Sequence, residues 1–98
     1  MESEVKFEWD LKKAGINKSK HRVDFETAVH VFLDPDRYEE CNYSPDENEY
    51  RYKTIGFVGS VLLVVIYVER ESGEKTVRII SARKANEKER RWYSEIHP

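Results

Sequence analysis

Apolar and polar residues alternate in VKFEW at residues 5–9, the two-residue period of a strand. Asp10 then stands where a helix cap is wanted. LKKAGINKSKH, residues 11–21, predicts a short helix with Leu11 and Ala14 on one side and Gly15 as its weak point. A clearer helical stripe follows. Phe25, Ala28, Val29 and Phe32 recur at i, i+3, i+4 and i+7; Asp24 caps the start, and Asp34-Pro35 ends it. Residues 34–48 are acidic and turn-rich and predict a loop with room for a short edge strand at 37–41. Period two returns in EYRYKTIGFV at 49–58, and Gly59-Ser60 predicts a hairpin turn. VLLVVIYVE at 61–69 is apolar on both faces, as in a central strand covered on both sides. RESGE at 70–74 turns the chain again, and KTVRIISAR at 75–83 predicts a third long strand of an antiparallel meander. Asn86, with Glu89 three residues later, forms a capping-box pattern. A helix is therefore expected from Glu87, with Glu89, Trp92, Tyr93 and Ile96 on one face.

That order predicts a single α+β domain over residues 1–98, with helices packed on an antiparallel sheet of three to four strands. Two helices precede the main strands and one follows them. Composition narrows the setting. The single cysteine, Cys41, excludes an internal disulfide and fits a reducing compartment. No run reaches the roughly 18 apolar residues of a membrane span. The first ten residues, MESEVKFEWD, lack the apolar centre of a signal peptide. A cytoplasmic protein with no membrane partner is expected.

Net charge is −2, which by itself argues against a general nucleic-acid binder. The distribution changes that picture. Residues 34–49 hold seven acids and one base, for −6; residues 77–93 hold six bases and two acids, for +4. A basic patch survives inside an acidic total.

Most familiar chemistry is missing from the sequence. There is no G-x-G-x-x-G and no phosphate-cradling P-loop. Cys41 has no partner at metal spacing, and His21, His30 and His97 are scattered, so neither a metal nor a cofactor is expected. Nothing in the spacing places serine, histidine and aspartate together. What remains is basic and aromatic: Arg51, Lys53, Arg70, Arg78, Arg83 and Arg90, interleaved with Tyr50, Tyr52, Tyr67 and Tyr93. Arginine presents a bidentate fork to phosphate oxygens, and tyrosine can stack on a base. RNA cleavage without metal needs little more than a proton acceptor, a proton donor and cations around the phosphate. Each residue also has a plainer role open to it. Arg78 can pair with a cross-strand acid, Glu89 can serve the cap alone, and Trp92 and Tyr93 can be core. Lys20 and His21 can simply close the first helix, where cations suit the dipole, and Arg90 can lie on a solvated face.

The pattern as a whole is more specific. FEWD at 7–10, Asn17, KH at 20–21, DFETA at 24–28, VFLD at 31–34, E-x-R at 49–51 and Gly56 recur in order. LLVVIYVER at 62–70, VRIISARKA at 77–85, ER at 89–90 and Tyr93 complete the series. Together they resemble the BrnT family, the ribonuclease toxins of BrnT–BrnA toxin–antitoxin systems, over residues 7–93. The resemblance implies a RelE-like α+β toxin of the bacterial cytoplasm that cleaves RNA without metal by 2′-OH attack and inhibits translation. It implies a BrnA-like antitoxin dimer that carries two toxins and reaches operator DNA itself. It also implies a site. Arg51, Arg78 and Arg83 are expected to hold the phosphate, His21 or Glu49 to act as base, and Tyr93 to orient the ribose or stack on a base. Lys20, Lys53, Arg70 and Arg90 are expected to bind RNA. The family's KHGV appears here as KHRV, so Arg22 stands where a glycine would tolerate φ > 0. Two other readings fit the residues. One is a BrnT-like module that has lost catalysis but binds antitoxin or RNA; the other is a structural module whose basic face pairs with an acidic partner.

Overall fold

The computed structural model describes residues 5–72 and 74–98. The chain runs β1 (Lys6–Glu8), α1 (Leu11–His21), α2 (Phe25–Ala28), a 3₁₀ segment (Val29–Leu33), β2 (Tyr38–Ser44), β3 (Glu49–Val58), β4 (Val61–Ser72), β5 (Glu74–Lys84) and α3 (Glu87–Ile96). The five strands form one sheet in the order β1-β5-β4-β3-β2. The α+β class stands, but the sheet is larger than expected and mixed. β1 pairs parallel to β5, and the other neighbours are antiparallel. The acidic stretch also holds a full seven-residue edge strand, Tyr38–Ser44, where a loop with a shorter strand was expected. Its charges sit on an edge, where solvent reaches them and where they discourage pairing with another chain. The turn expected at residues 70–74 is now flanked by longer strands, and its glycine lies outside the described residues.

Local rules place the helices. Asp10 accepts a hydrogen bond from the Lys13 amide at 3.0 Å, and Asp24 accepts one from the Thr27 amide at 2.7 Å. The second helical stretch is one α-turn that tightens into 3₁₀. Phe25, Ala28 and Val31 are its fully buried residues, a spacing of three. That is the period of a 3₁₀ helix, so the buried face follows it more closely than the 3.6-residue stripe read from the sequence.

Two cores flank the sheet. On one face α1, α2 and the 3₁₀ segment pack on Leu63, Val65, Tyr67, Val77, Ile79 and Ala82. On the other, α3 covers Ile55, Leu62 and Val64 with Ala85, Tyr93 and Trp92. β4 therefore buries both faces, as its unbroken apolar run requires. Asn17 ties α1 to the sheet from inside. Its side-chain amide donates to the Val23 and Ala82 carbonyls at 3.0 and 2.8 Å, and its oxygen accepts from the Ala82 amide at 3.2 Å. Gly56 marks a close approach: a Cβ there would meet Arg37 Cβ and Val31 Cγ2, each at 2.9 Å.

Candidate functional site

The α3 layer covers one end of its sheet face and leaves the rest open. Strand alternation decides which side chains occupy the open part. On β3 it is the odd-numbered series. Glu49, Arg51 and Lys53 share a face with Ile55, which lies under α3. On β4 the even-numbered series runs from Val64, under α3, through Ile66 and the buried Val68 to the exposed Arg70.

β5 departs from simple alternation. Ser81 pairs with Ile66 and Ile79 with Tyr67, so Ile80 is an extra residue in the ladder. This β-bulge shifts the phase of the strand. Arg83 is opposite Val64 and Arg78 opposite Val68, both on the open face. Five residues apart on an unbroken strand, the two arginines would point to opposite faces.

Arg51, Lys53, Arg70, Arg78 and Arg83 thus converge on one surface, with Glu49 among them. Four of the cations are partly covered and hold carboxylates. Arg83 forms a two-pronged bond with Glu89, Nη1 to Oε1 at 2.7 Å and Nη2 to Oε2 at 2.9 Å. Lys53 Nζ lies 3.9 Å from Glu89 Oε2. Arg78 Nη1 donates to Glu8 Oε2 at 2.6 Å, across the β1–β5 pair. Arg51 holds Glu49 at 3.3 Å and Glu47 at 3.7 Å. Arg70 is exposed and has no carboxylate partner among the described residues.

Glu89 joins the two halves of this face. Its Oε1 also accepts from the Asn86 amide at 2.9 Å, while Asn86 Oδ1 accepts from the Glu89 amide at 2.8 Å. The capping box and the arginine clasp are therefore one structure. The Arg83 guanidinium, the Asn86 amide and the Lys53 charge hold the Glu89 carboxyl at about 2, below its ordinary 4.5. So acidic a group is a poor proton acceptor at neutral pH. Next to it, a cleft of about 520 Å³ opens between the β2–β3 surface and the first turn of α3. Tyr38, Glu40, Lys53, Ile55, Glu89 and Trp92 are among its walls.

The other expected site residues lie elsewhere. Lys20 and His21 end α1, in the layer on the opposite sheet face. Tyr93 is buried at 4% exposure beneath α3. Its hydroxyl shares its proton between Asp34 Oδ2 and the Asp36 carbonyl, each at 3.1 Å. Burial and the Asp34 carboxylate push its pKa up to about 12. A ring and hydroxyl so enclosed do not reach the open face. Arg90 is tied to the β5–α3 junction through a 2.7 Å bond to the Ala85 carbonyl.

Sequence reasoning missed the bulge and the cleft. The adjacent isoleucines 79 and 80, which break the alternation of β5, were the available signal for the bulge. Tyr38 and Glu40 become co-facial only once residues 38–44 are known to be a strand. Among the described residues, no cluster of three or more histidine, cysteine, aspartate or glutamate side chains could hold a metal ion. No helix of the described residues is long and apolar enough to cross a membrane.

Residues 9–89 match the family described as the ribonuclease toxin, BrnT, of type II toxin–antitoxin systems. Among solved structures, the Brucella abortus ribonuclease toxin, BrnT, is similar with a TM-score of 0.62 and 24% sequence identity. That likeness covers 86% of this chain and all of the Brucella chain, and it extends to the fold. No curated protein matches. The chain belongs to the BrnT family, the ribonuclease toxins of type II toxin–antitoxin systems.

Proposed function

We propose that this chain is an endoribonuclease that holds an RNA backbone across the open strand face and cuts it without a metal ion. The observation that carries this reading is the bulge-dependent convergence of Arg78 and Arg83 with Arg51 and Lys53 on one surface. Four cations there meet the demand of phosphoryl transfer, which is stabilisation of charge on the equatorial oxygens. The ribose 2′-oxygen forms a bond to the adjacent phosphorus, and the bond from phosphorus to the 5′-oxygen breaks. The proton of the 2′-hydroxyl goes to a base, and the 5′-oxygen takes one as it leaves. Glu49 is the base candidate on this face, 3.3 Å from Arg51. His21 and Lys20 lie on the opposite side of the sheet, so their part is to close α1. Glu89 takes both prongs of the Arg83 fork and fixes the guanidinium, so that its remaining N–H groups meet the phosphate.

As a type II toxin the chain has a protein antitoxin. We propose a BrnA-like dimer that carries two toxins, covers the cationic face and alone contacts operator DNA. RNA degradation then accounts for inhibited translation in the cytoplasm.

The test is cleavage of a model RNA by the purified protein with and without EDTA, beside Arg78→Ala and Arg83→Ala. Cleavage that survives EDTA and falls ~10²-fold or more in both variants is expected. Full activity in both would remove these arginines from the site. A second reading has one observation in its favour: Arg51, Lys53, Arg78 and Arg83 already hold carboxylates, as a surface built to dock an acidic partner would. RNA or antitoxin binding without cleavage in wild type would select it.

A further inference from the structure

We infer that the cleft beside Glu89 is a nucleobase subsite that takes one splayed base next to the phosphate held by Arg83 and Lys53, and favours cytosine or adenine over uracil. This rests on the nuclease reading for its phosphate and goes beyond it in naming what the enzyme reads.

The cleft has the size, walls and neighbours of such a site. Its volume of about 520 Å³ lies in the range of small-ligand pockets, about 300–1,000 Å³. Tyr38 and Trp92 stand edge to face with ring centroids 4.8 Å apart at 83°, so one ring plane is set perpendicular to the other. Ile55 adds an apolar wall. An aromatic corner over an apolar surface is what a flat heterocycle stacks on. A base inside a duplex has both faces stacked and its pairing edge occupied, so only a single-stranded base can enter.

The polar groups set the preference. Glu40 and Lys53 are opposite each other across the β2–β3 pair, and both line the cleft. An ionised carboxylate only accepts hydrogen bonds, and an ammonium only donates them. Cytosine and adenine each present an exocyclic amine beside a ring acceptor, which suits that donor–acceptor pair. In the pose that places cytosine's amine on Glu40, uracil presents a carbonyl oxygen to that carboxylate and must shift in the cleft to offer its single N3–H instead. The phosphate is close by construction: Lys53 and Glu89 line the cleft, and Glu89 is the partner of the Arg83 fork.

The experiment titrates the whole chain with cytidine 3′,5′-bisphosphate and with uridine 3′,5′-bisphosphate and follows tryptophan fluorescence. Trp9 packs with the core on the other face of the sheet, so a base-dependent change reports Trp92. Quenching by the cytidine compound at roughly tenfold lower concentration than by the uridine compound is expected. In Glu40→Gln that ratio should contract to about twofold. This side chain is at the edge strand, and the substitution keeps its shape. No quenching by either compound overturns the subsite; so does quenching that is equal for both and unchanged in Glu40→Gln. The nuclease reading fails separately. A chain that discriminates the two nucleotides but cuts no RNA keeps the subsite and loses the nuclease. One that cuts RNA through Arg83 with Trp92 unmoved keeps the nuclease and loses the subsite.

Discussion

Arg78 and Arg83 lie five residues apart on β5 and yet leave the same face of the sheet, because Ile80 is inserted between their two pairing registers. One extra residue in a strand changes which side every later side chain takes. Without it, one arginine would lie among the apolar side chains beneath α1 and α2. With it, both stand where a backbone can lie across the strands.

Convergence on one face makes a quantitative prediction about salt. For a single strand, the logarithm of the binding constant falls with the logarithm of salt concentration at about 0.7 per phosphate neutralised. Arg78→Ala and Arg83→Ala should each flatten that slope by about 0.7 for a 2′-O-methyl RNA, which cannot be cut by its own 2′-oxygen. The measurement is a set of binding titrations between about 50 and 200 mM salt. An unchanged slope in either variant would mean that its arginine does not touch the backbone.

Glu89 ties stability to pH. Its folded value of about 2 lies below its ordinary 4.5, because Arg83 bonds to the ionised form. The sign follows from linkage. The contribution is complete above about pH 5 and is lost as pH falls toward 2. The carboxyl is partly open to solvent, so the pair contributes on the order of 1–2 kcal/mol, less than the full shift implies. Glu89→Gln should lower the unfolding free energy by about that amount at pH 7, read from urea midpoints. The gap between variant and wild type should close between pH 5 and pH 2. A gap of constant size down to pH 2 would mean that the loss comes from shape and not from charge.

Tyr93 separates architecture from chemistry. Its hydroxyl bonds Asp34 and Asp36, and Asp34 Oδ2 also accepts from the Phe57 amide at 2.7 Å. The side chain thus ties α3 to the turn that follows the 3₁₀ segment. Tyr93→Phe removes the hydroxyl and leaves the half-buried Asp34 carboxylate with one donor fewer. A loss of about 1–2 kcal/mol is expected in chemical denaturation. RNA cleavage at a temperature where both proteins are folded should be unchanged. A drop of 10²-fold in turnover without loss of stability would return Tyr93 to the reaction.

The sequence reading succeeded where a single period or a single cap decides the element. The β3–β4 hairpin and the caps at Asp10, Asp24 and Asn86 were legible in this way. It fell short where partners distant in sequence decide. The β1–β5 pairing joins Glu8 to Arg78, 70 positions away. Residues 38–44 are acidic enough to pass for a loop, and only pairing with β3 makes them a strand. The basic residues stood out in the sequence as a set, but the face that Arg78 and Arg83 share depends on a bulge that residue types do not show. Tyr93 and His21 sit in the same run of motif residues as those arginines. What removes them from the open face is three-dimensional: the Asp34 turn in one case, and the far side of the sheet in the other.

Arg22 offers the cleanest test of a local rule. It closes α1 in the left-handed region, at φ 60° and ψ 28°, and its amide donates to the Lys18 carbonyl at 2.9 Å. This is where a helix commonly ends on glycine, because a Cβ crowds the following backbone. A non-glycine residue there costs about 1 kcal/mol or slightly more. Arg22→Gly relieves that strain but gives the unfolded chain more freedom, which returns part of the gain. The net expectation is a stabilisation of about 0.5 kcal/mol, seen as a higher urea midpoint with an unchanged slope. Cleavage should not change, because α1 ends on the face opposite the arginines. A lower midpoint would mean that the Arg22 side chain contributes more to the fold than the left-handed backbone costs.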